Sequence, residues 1–114
     1  MFYRVSNGGS LDLPDTLSFA VFGGDGVNTS TAYISIPKGL FQNYKYYKVS
    51  QGGAGTESAA NQATAGFRNG NDHGLPTISF NTNYAMNTNY NYLLVRCNKT
   101  THGGYTDFTV TLSR

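Results

Sequence analysis

The sequence predicts an all-β fold: an antiparallel β-sandwich, or a jelly-roll-like barrel, of about seven strands with little or no helix. Three observations lead there. The first is composition. Charged residues make up 12% of the 114 positions, about half the roughly 25% of an average globular chain. Gly (14), Thr (13), Asn (12) and Ser (9) fill 48 positions, Tyr (9) and Phe (7) add 16, and Glu occurs once. Long helices and coiled coils need Ala, Glu, Lys and Leu in bulk, and a disordered chain would be poor in rings. The second observation is an apolar period of two. The third is punctuation of those runs by Gly, Pro, Asn and Asp. A chain of this length suits one domain, 1–114, with one core.

Seven segments read as strands: 2–6, 16–22, 30–36, 44–50, 77–82, 90–97 and 105–112. In the second, Leu17, Phe19 and Val21 alternate with Thr16, Ser18 and Ala20. In the third, Ala32, Ile34 and Ile36 alternate with Thr31, Tyr33 and Ser35. In the last, Thr106, Phe108, Val110 and Leu112 share a face, with Asp107, Thr109 and Thr111 on the other. Successive strand side chains point to opposite faces, so each pattern buries one face and hydrates the other. Asn7-Gly8-Gly9, Gly23-Gly24-Asp25-Gly26, Gly52-Gly53-Ala54-Gly55, Asn69-Gly70-Asn71-Asp72 and His102-Gly103-Gly104 supply turns that tolerate positive φ. Pro14, Pro37 and Pro76 stand at strand edges, where a missing N–H costs no ladder bond. The expected core is Leu17, Phe19, Val21, Ile34, Ile36, Ile78, Phe80, Leu94, Phe108, Val110 and Leu112.

Two stretches stand apart. The long segment 51–76 has no strand pattern, and only Glu57–Ala65 offers two turns of helix; a structureless loop that long is uncommon in a compact domain. Farther on, Asn81-Thr82-Asn83-Tyr84 recurs as Asn87-Thr88-Asn89-Tyr90. Across 78–94 the even positions are mostly apolar or aromatic, whereas 81, 83, 87, 89 and 91 are all Asn. This period predicts two strands joined near Ala85-Met86-Asn87, each with one Asn face. That face is either an ordinary solvated hairpin surface or a hydrogen-bonding contact surface.

Metal and catalytic signatures are weak. Cys97, His73 and His102 lack zinc spacing, and Gly24-Asp25-Gly26-Val27-Asn28 lacks the repeated ligands and final Glu of a calcium loop. The acidic residues Asp12, Asp15, Asp25, Glu57, Asp72 and Asp107 show no spacing that pairs two for glycoside hydrolysis. Cys97 follows Leu93 and Val95 at spacing two, which reads as a buried thiol and not as a nucleophile activated by His102. The two N-x-[ST] matches at Asn28 and Asn98 are expected by chance in so Asn-rich a chain. No cofactor, metal or enzymatic activity is therefore expected. A lone cysteine excludes an intrachain disulfide. A net charge of +2 is too small for a phosphate-neutralising nucleic-acid binder. No apolar run approaches the roughly 18 residues of a membrane helix, and no apolar h-region follows Met1-Phe2-Tyr3-Arg4.

The aromatics carry more. Tyr44, Tyr46 and Tyr47 alternate with Lys45 and Lys48, and Tyr90-Asn91-Tyr92 leads to Arg96 and Lys99. Such rings suit a strand surface, a protein interface or a sugar platform. Tyr44, Tyr46, Tyr47, Tyr84, Tyr90 and Tyr92 exceed the inward positions left by Phe, Leu and Ile, so several are expected at the surface beside Asn87 and Asn89. Residues 73–95 contain no charge, although soluble monomers commonly protect exposed edges with Lys. These eight residues form the expected interface or binding surface.

The Gly/Asn/Thr/Tyr-rich, charge-poor, disulfide-free composition resembles small virion surface proteins of bacteriophages, namely decoration or cement proteins and tail-fibre tip domains. The resemblance covers the whole chain and is one of composition. It implies a non-enzymatic structural protein at a virion surface, made in the host cytoplasm without a signal peptide. Its partners would be copies of itself or a larger capsid or tail assembly. The alternative is a carbohydrate-binding β-sandwich, a lectin or receptor-binding fibre head that contacts a cell-surface glycan through Tyr platforms.

Overall fold

A computed structural model describes residues 16–25, 30–53, 61–72, 74–100 and 105–114. The elements in chain order are β1 (Thr16–Asp25), β2 (Ser30–Pro37), α1 (Lys38–Phe41), β3 (Tyr46–Gly52), β4 (Gln62–Arg68), β5 (Thr77–Ile78), β6 (Tyr84–Ala85), β7 (Tyr92–Lys99) and β8 (Tyr105–Ser113). They form two antiparallel four-stranded sheets, β1-β8-β3-β6 and β2-β7-β4-β5, packed face to face as an all-β sandwich. The expected strand at 2–6 lies outside the described residues.

The clearest alternations become the longest ladders. Leu17 faces Leu112, Phe19 faces Val110 and Val21 faces Phe108 across β1 and β8. All six are buried, with Val49 and Tyr47 of β3 continuing the same inner face. On the second sheet Ile36, Leu93, Val95, Cys97, Ala63 and Ala65 point inward. The buried Val, Leu, Ile and Phe side chains among these contribute roughly 1.5–3 kcal/mol each, so this two-sided cluster dominates the stability of the fold.

Several expectations are corrected. The helix expected over Glu57–Ala65 is absent where the structure describes it: Asn61 lies in loop and Gln62–Ala65 open strand β4, while 57–60 lie outside the described residues. Segment 51–76 is therefore not a continuous loop. Central position overrides propensity here, because β4 runs between β7 and β5 with Ala63 beside Cys97 and Ala65 beside Val95. The strand expected at 77–82 shrinks to Thr77–Ile78. The hairpin expected across 78–94 is replaced by turns that flank the two-residue strand β6. Asn81 adopts φ 62°, a left-handed geometry that Asn tolerates and a ladder does not, and its N–H donates to the Val49 carbonyl at 2.8 Å.

Parity shifts as a result. Leu94 is buried, but on the face opposite to Leu93 and Val95, outside the core cluster. There it stands between Ser35 and Gly66. A Cβ added to Gly66 would lie 3.2 Å from both Leu75 Cδ2 and Arg68 Nη1, so these side chains close over that glycine. Ile34 and Phe80 are only partly buried. Ile34 belongs to β2, at the edge of its sheet, and Phe80 stacks on Phe108 at 6.0 Å from a turn.

Candidate contact surface

Register places Tyr46, Ser113 and Thr16 in one row across the first sheet, and Arg68, Tyr92 and Pro37 in one row across the second. These positions mark one end of the sandwich, where the aromatic residues gather. Tyr47 stacks on Tyr84 at 5.5 Å and 27°, while its ring meets Phe67 edge-on at 5.9 Å. Phe67 also meets Phe41 edge-on at 5.5 Å and Tyr90 at 6.4 Å. The chain of rings thus passes from one sheet to the other. Such pairs contribute about 0.5–1.5 kcal/mol beyond their area. Arg114 places its guanidinium carbon 5.3 Å from the Tyr44 ring centroid.

The turns around this tier are fixed by asparagine side chains. Asn87 Oδ1 accepts the Asn89 N–H at 3.0 Å, and Asn69 Oδ1 accepts the Asn91 N–H at 2.9 Å. The Tyr92 hydroxyl donates to the Gly70 carbonyl. The Tyr84 hydroxyl accepts the Ser79 N–H at 2.8 Å. The Lys38 N–H donates to the Asn91 carbonyl at 2.8 Å, which ties α1 to the turn before β7. The bonds to the Asn89, Asn91, Ser79 and Lys38 N–H groups satisfy backbone donors that no ladder reaches.

Of the eight expected surface residues, Tyr44 and Tyr47 are buried in the core. Tyr84, Tyr92 and Asn87 are partly buried, and Asn89 is exposed. Tyr46 and Tyr90 retain 42% and 36% exposure. Tyr90 stands over Phe67 in the aromatic tier, whereas Tyr46 lies on the outer face of its sheet, opposite Ala85 and Ser113. Around this end Asn43, Thr88, Asn89 and Asn91 are exposed, together with the cations Lys38, Lys45 and Arg114. Sequence reasoning missed Phe41 and Phe67, the two rings that support this end. The alternation Ala63, Ala65, Phe67 held the signal for Phe67, but alanine and glycine masked it as a strand.

The opposite end is polar. Asn61 donates through Nδ2 to Gln51 Oε1 at 3.0 Å and accepts the Thr100 N–H through Oδ1 at 3.0 Å. Lys99 and Thr106 are both fully buried there, and the Thr106 hydroxyl has no hydrogen-bond partner among the described residues. Two titrations are displaced. Burial, then the neighbouring Tyr84, push the Tyr47 phenol from 10.0 up to about 12. Burial alone pushes the Cys97 thiol from 9.0 up to about 12. Cys97 is accordingly a packed thiol that stays protonated at neutral pH.

Among the described residues, no three His, Cys, Asp or Glu side chains cluster to hold a metal ion, and no helix is long and apolar enough to cross a membrane. No family model matches the chain, and neither does any curated protein or solved structure compared with it.

Proposed function

We propose that the protein is a non-enzymatic structural protein of a virion, acting through protein–protein contacts made by the Tyr/Asn end of the sandwich. The observation that carries this reading is the combination at that end: Tyr90 partly exposed over a packed ring tier, beside exposed Asn and Thr side chains. Rigid aromatic anchors encircled by adaptable polar groups are what well-packed interfaces use. The compositional resemblance to phage decoration and fibre-tip proteins supplies the setting, with copies of this chain or a capsid or tail assembly as partner.

Tyr90→Ala tests the reading. It removes the exposed ring while leaving Phe41, Tyr47 and Phe67 in place, so the fold should persist. An interface role predicts a change of oligomeric state, read by light scattering, or loss of particle binding. A sugar platform at this end predicts lost glycan binding with unchanged mass. A folded variant that keeps every assembly and partner of the wild type refutes both.

A further inference from the structure

The outer face of the β2-β7-β4 sheet contains a row that the Tyr/Asn end does not involve. Tyr33, Arg96 and Thr64 stand directly opposite one another across the three strands. Tyr33 is the most exposed large ring among the described residues, at 55%. Beside it, the Arg96 Nε is closed off from solvent without a hydrogen-bond partner among the described residues, as is the Thr64 hydroxyl. Buried polar atoms of this kind are costly when unpaired, and two of them share this row.

The second arginine on this face provides the contrast. Arg68 Nη1 donates to the Phe67 carbonyl at 2.7 Å, Nη2 donates to the Gly74 carbonyl, and Nε lies 3.8 Å from the Asp72 carboxylate. Asp72 balances its charge and both its Nη atoms are occupied, although its Nε, like that of Arg96, has no hydrogen-bond partner among the described residues. Among acidic side chains that the structure describes, Asp72 serves Arg68 and Asp107 belongs to the other sheet. The Arg96 end of the face therefore presents positive charge with no described carboxylate to balance it.

We propose that this row is a subsite for an acidic saccharide, a uronic-acid residue in particular. Groups directly opposite on neighbouring strands have Cβ atoms about 4.5–5.5 Å apart, so one sugar residue can reach both Tyr33 and Arg96. The apolar C–H face of the pyranose packs on the exposed Tyr33 ring. The carboxylate takes the guanidinium fork, whose planar donors match it. The next row, Thr31, Asn98 and Gln62, offers uncharged groups to sugar hydroxyls. Thr31 and Asn98 already hold each other, the Thr31 hydroxyl donating to Asn98 Oδ1 at 2.6 Å. A phosphate polymer fits less well, because it requires a track of cations and not one arginine. This subsite is independent of the contacts proposed for Tyr90.

The test is titration of the full chain with alginate, hyaluronan and oligogalacturonate, and with the methyl ester of the last. At least one uronate should bind, with amide shifts on β2 and β7, and the ester should not. Arg96→Gln should weaken binding about tenfold or more, the size of one charge-assisted pair. Tyr33→Ala should weaken it as well, while Lys48→Gln on the other sheet should leave it unchanged. The exposed Tyr33 keeps the test valid even where Arg96→Gln unfolds the chain. Absence of uronate binding overturns the proposal. So does equal binding of the ester, indifference to Tyr33→Ala, or preference for a glutamate-rich peptide.

Discussion

The two ends of the sandwich are closed by opposite chemistry. At one end Phe41, Tyr47, Phe67 and Tyr84 join the sheets ring against ring. At the other, Asn61 joins Gln51 to Thr100 through hydrogen bonds, over the fully buried Lys99 and Thr106. Aromatic burial removes apolar area from water and adds ring geometry, whereas an internal hydrogen bond replaces one made to water and nets only about 1 kcal/mol. The aromatic end should therefore anchor stability, and the polar end should fix register at little net gain.

Core truncation separates the two most sharply. Phe41→Ala removes a fully buried ring that meets Phe67 edge-on. It should cost about 3–5 kcal/mol in urea unfolding. Asn61→Ala should cost less, about 1–3 kcal/mol, since it strands the Thr100 N–H and the Gln51 side chain in partly buried positions. Equal losses from the two variants would break the comparison.

The same contrast explains what was legible in the sequence. β1, β2 and β8 were readable because branched and aromatic residues alternate strictly over six or more positions. β4 was not, because Ala63 and Ala65 carry its inner face, and alanine favours helix until tertiary packing decides. The repeated Asn-Thr-Asn-Tyr looks like two matching strands, yet its copies diverge. Tyr84 enters β6 opposite Tyr47, while Tyr90 stays in a turn held by Asn87 and Asn69. Asparagine bonding to nearby backbone competes with the ladder. Once those turns intervene, parity set at Ile78 no longer predicts parity at Leu94. The tyrosines suffered the same limit: Tyr44 and Tyr47 complete the core at the aromatic end, so only part of the expected surface set is exposed.

Alkaline pH probes the aromatic end from another direction. Tyr47 titrates near 12 in the folded chain against 10.0 when solvated, and Cys97 near 12 against 9.0. Between those values the unfolded chain has lost the proton and the folded chain has kept it, so rising pH favours unfolding. Stability should hold below pH 9, decline first through Cys97 and then through Tyr47, and level off above about 12. Tyr47→Phe should flatten the decline above pH 10 while leaving the earlier thiol contribution intact. Urea midpoints across this range for both proteins measure it. An unchanged slope in the variant would mean that the Tyr47 phenol is better solvated than its burial implies.

The smallest effect belongs to the polar end and has the opposite sign. Thr106 is fully buried, and its hydroxyl has no hydrogen-bond partner among the described residues. It lies on the inner face of β8, in line with Phe108 and Val110. Valine has nearly the same shape and is as favourable in a strand. Thr106→Val therefore removes an unsatisfied polar group without opening a cavity, and should stabilise the protein by up to about 1 kcal/mol. Thr106→Ser keeps the hydroxyl and deletes the methyl, and should destabilise by roughly the value of one buried methylene, ~0.8 kcal/mol. The two substitutions together isolate the hydroxyl from the methyl. Were Thr106→Val to destabilise instead, the hydroxyl would have a partner in solution, and the polar end would be held by a network wider than Asn61, Gln51 and Thr100.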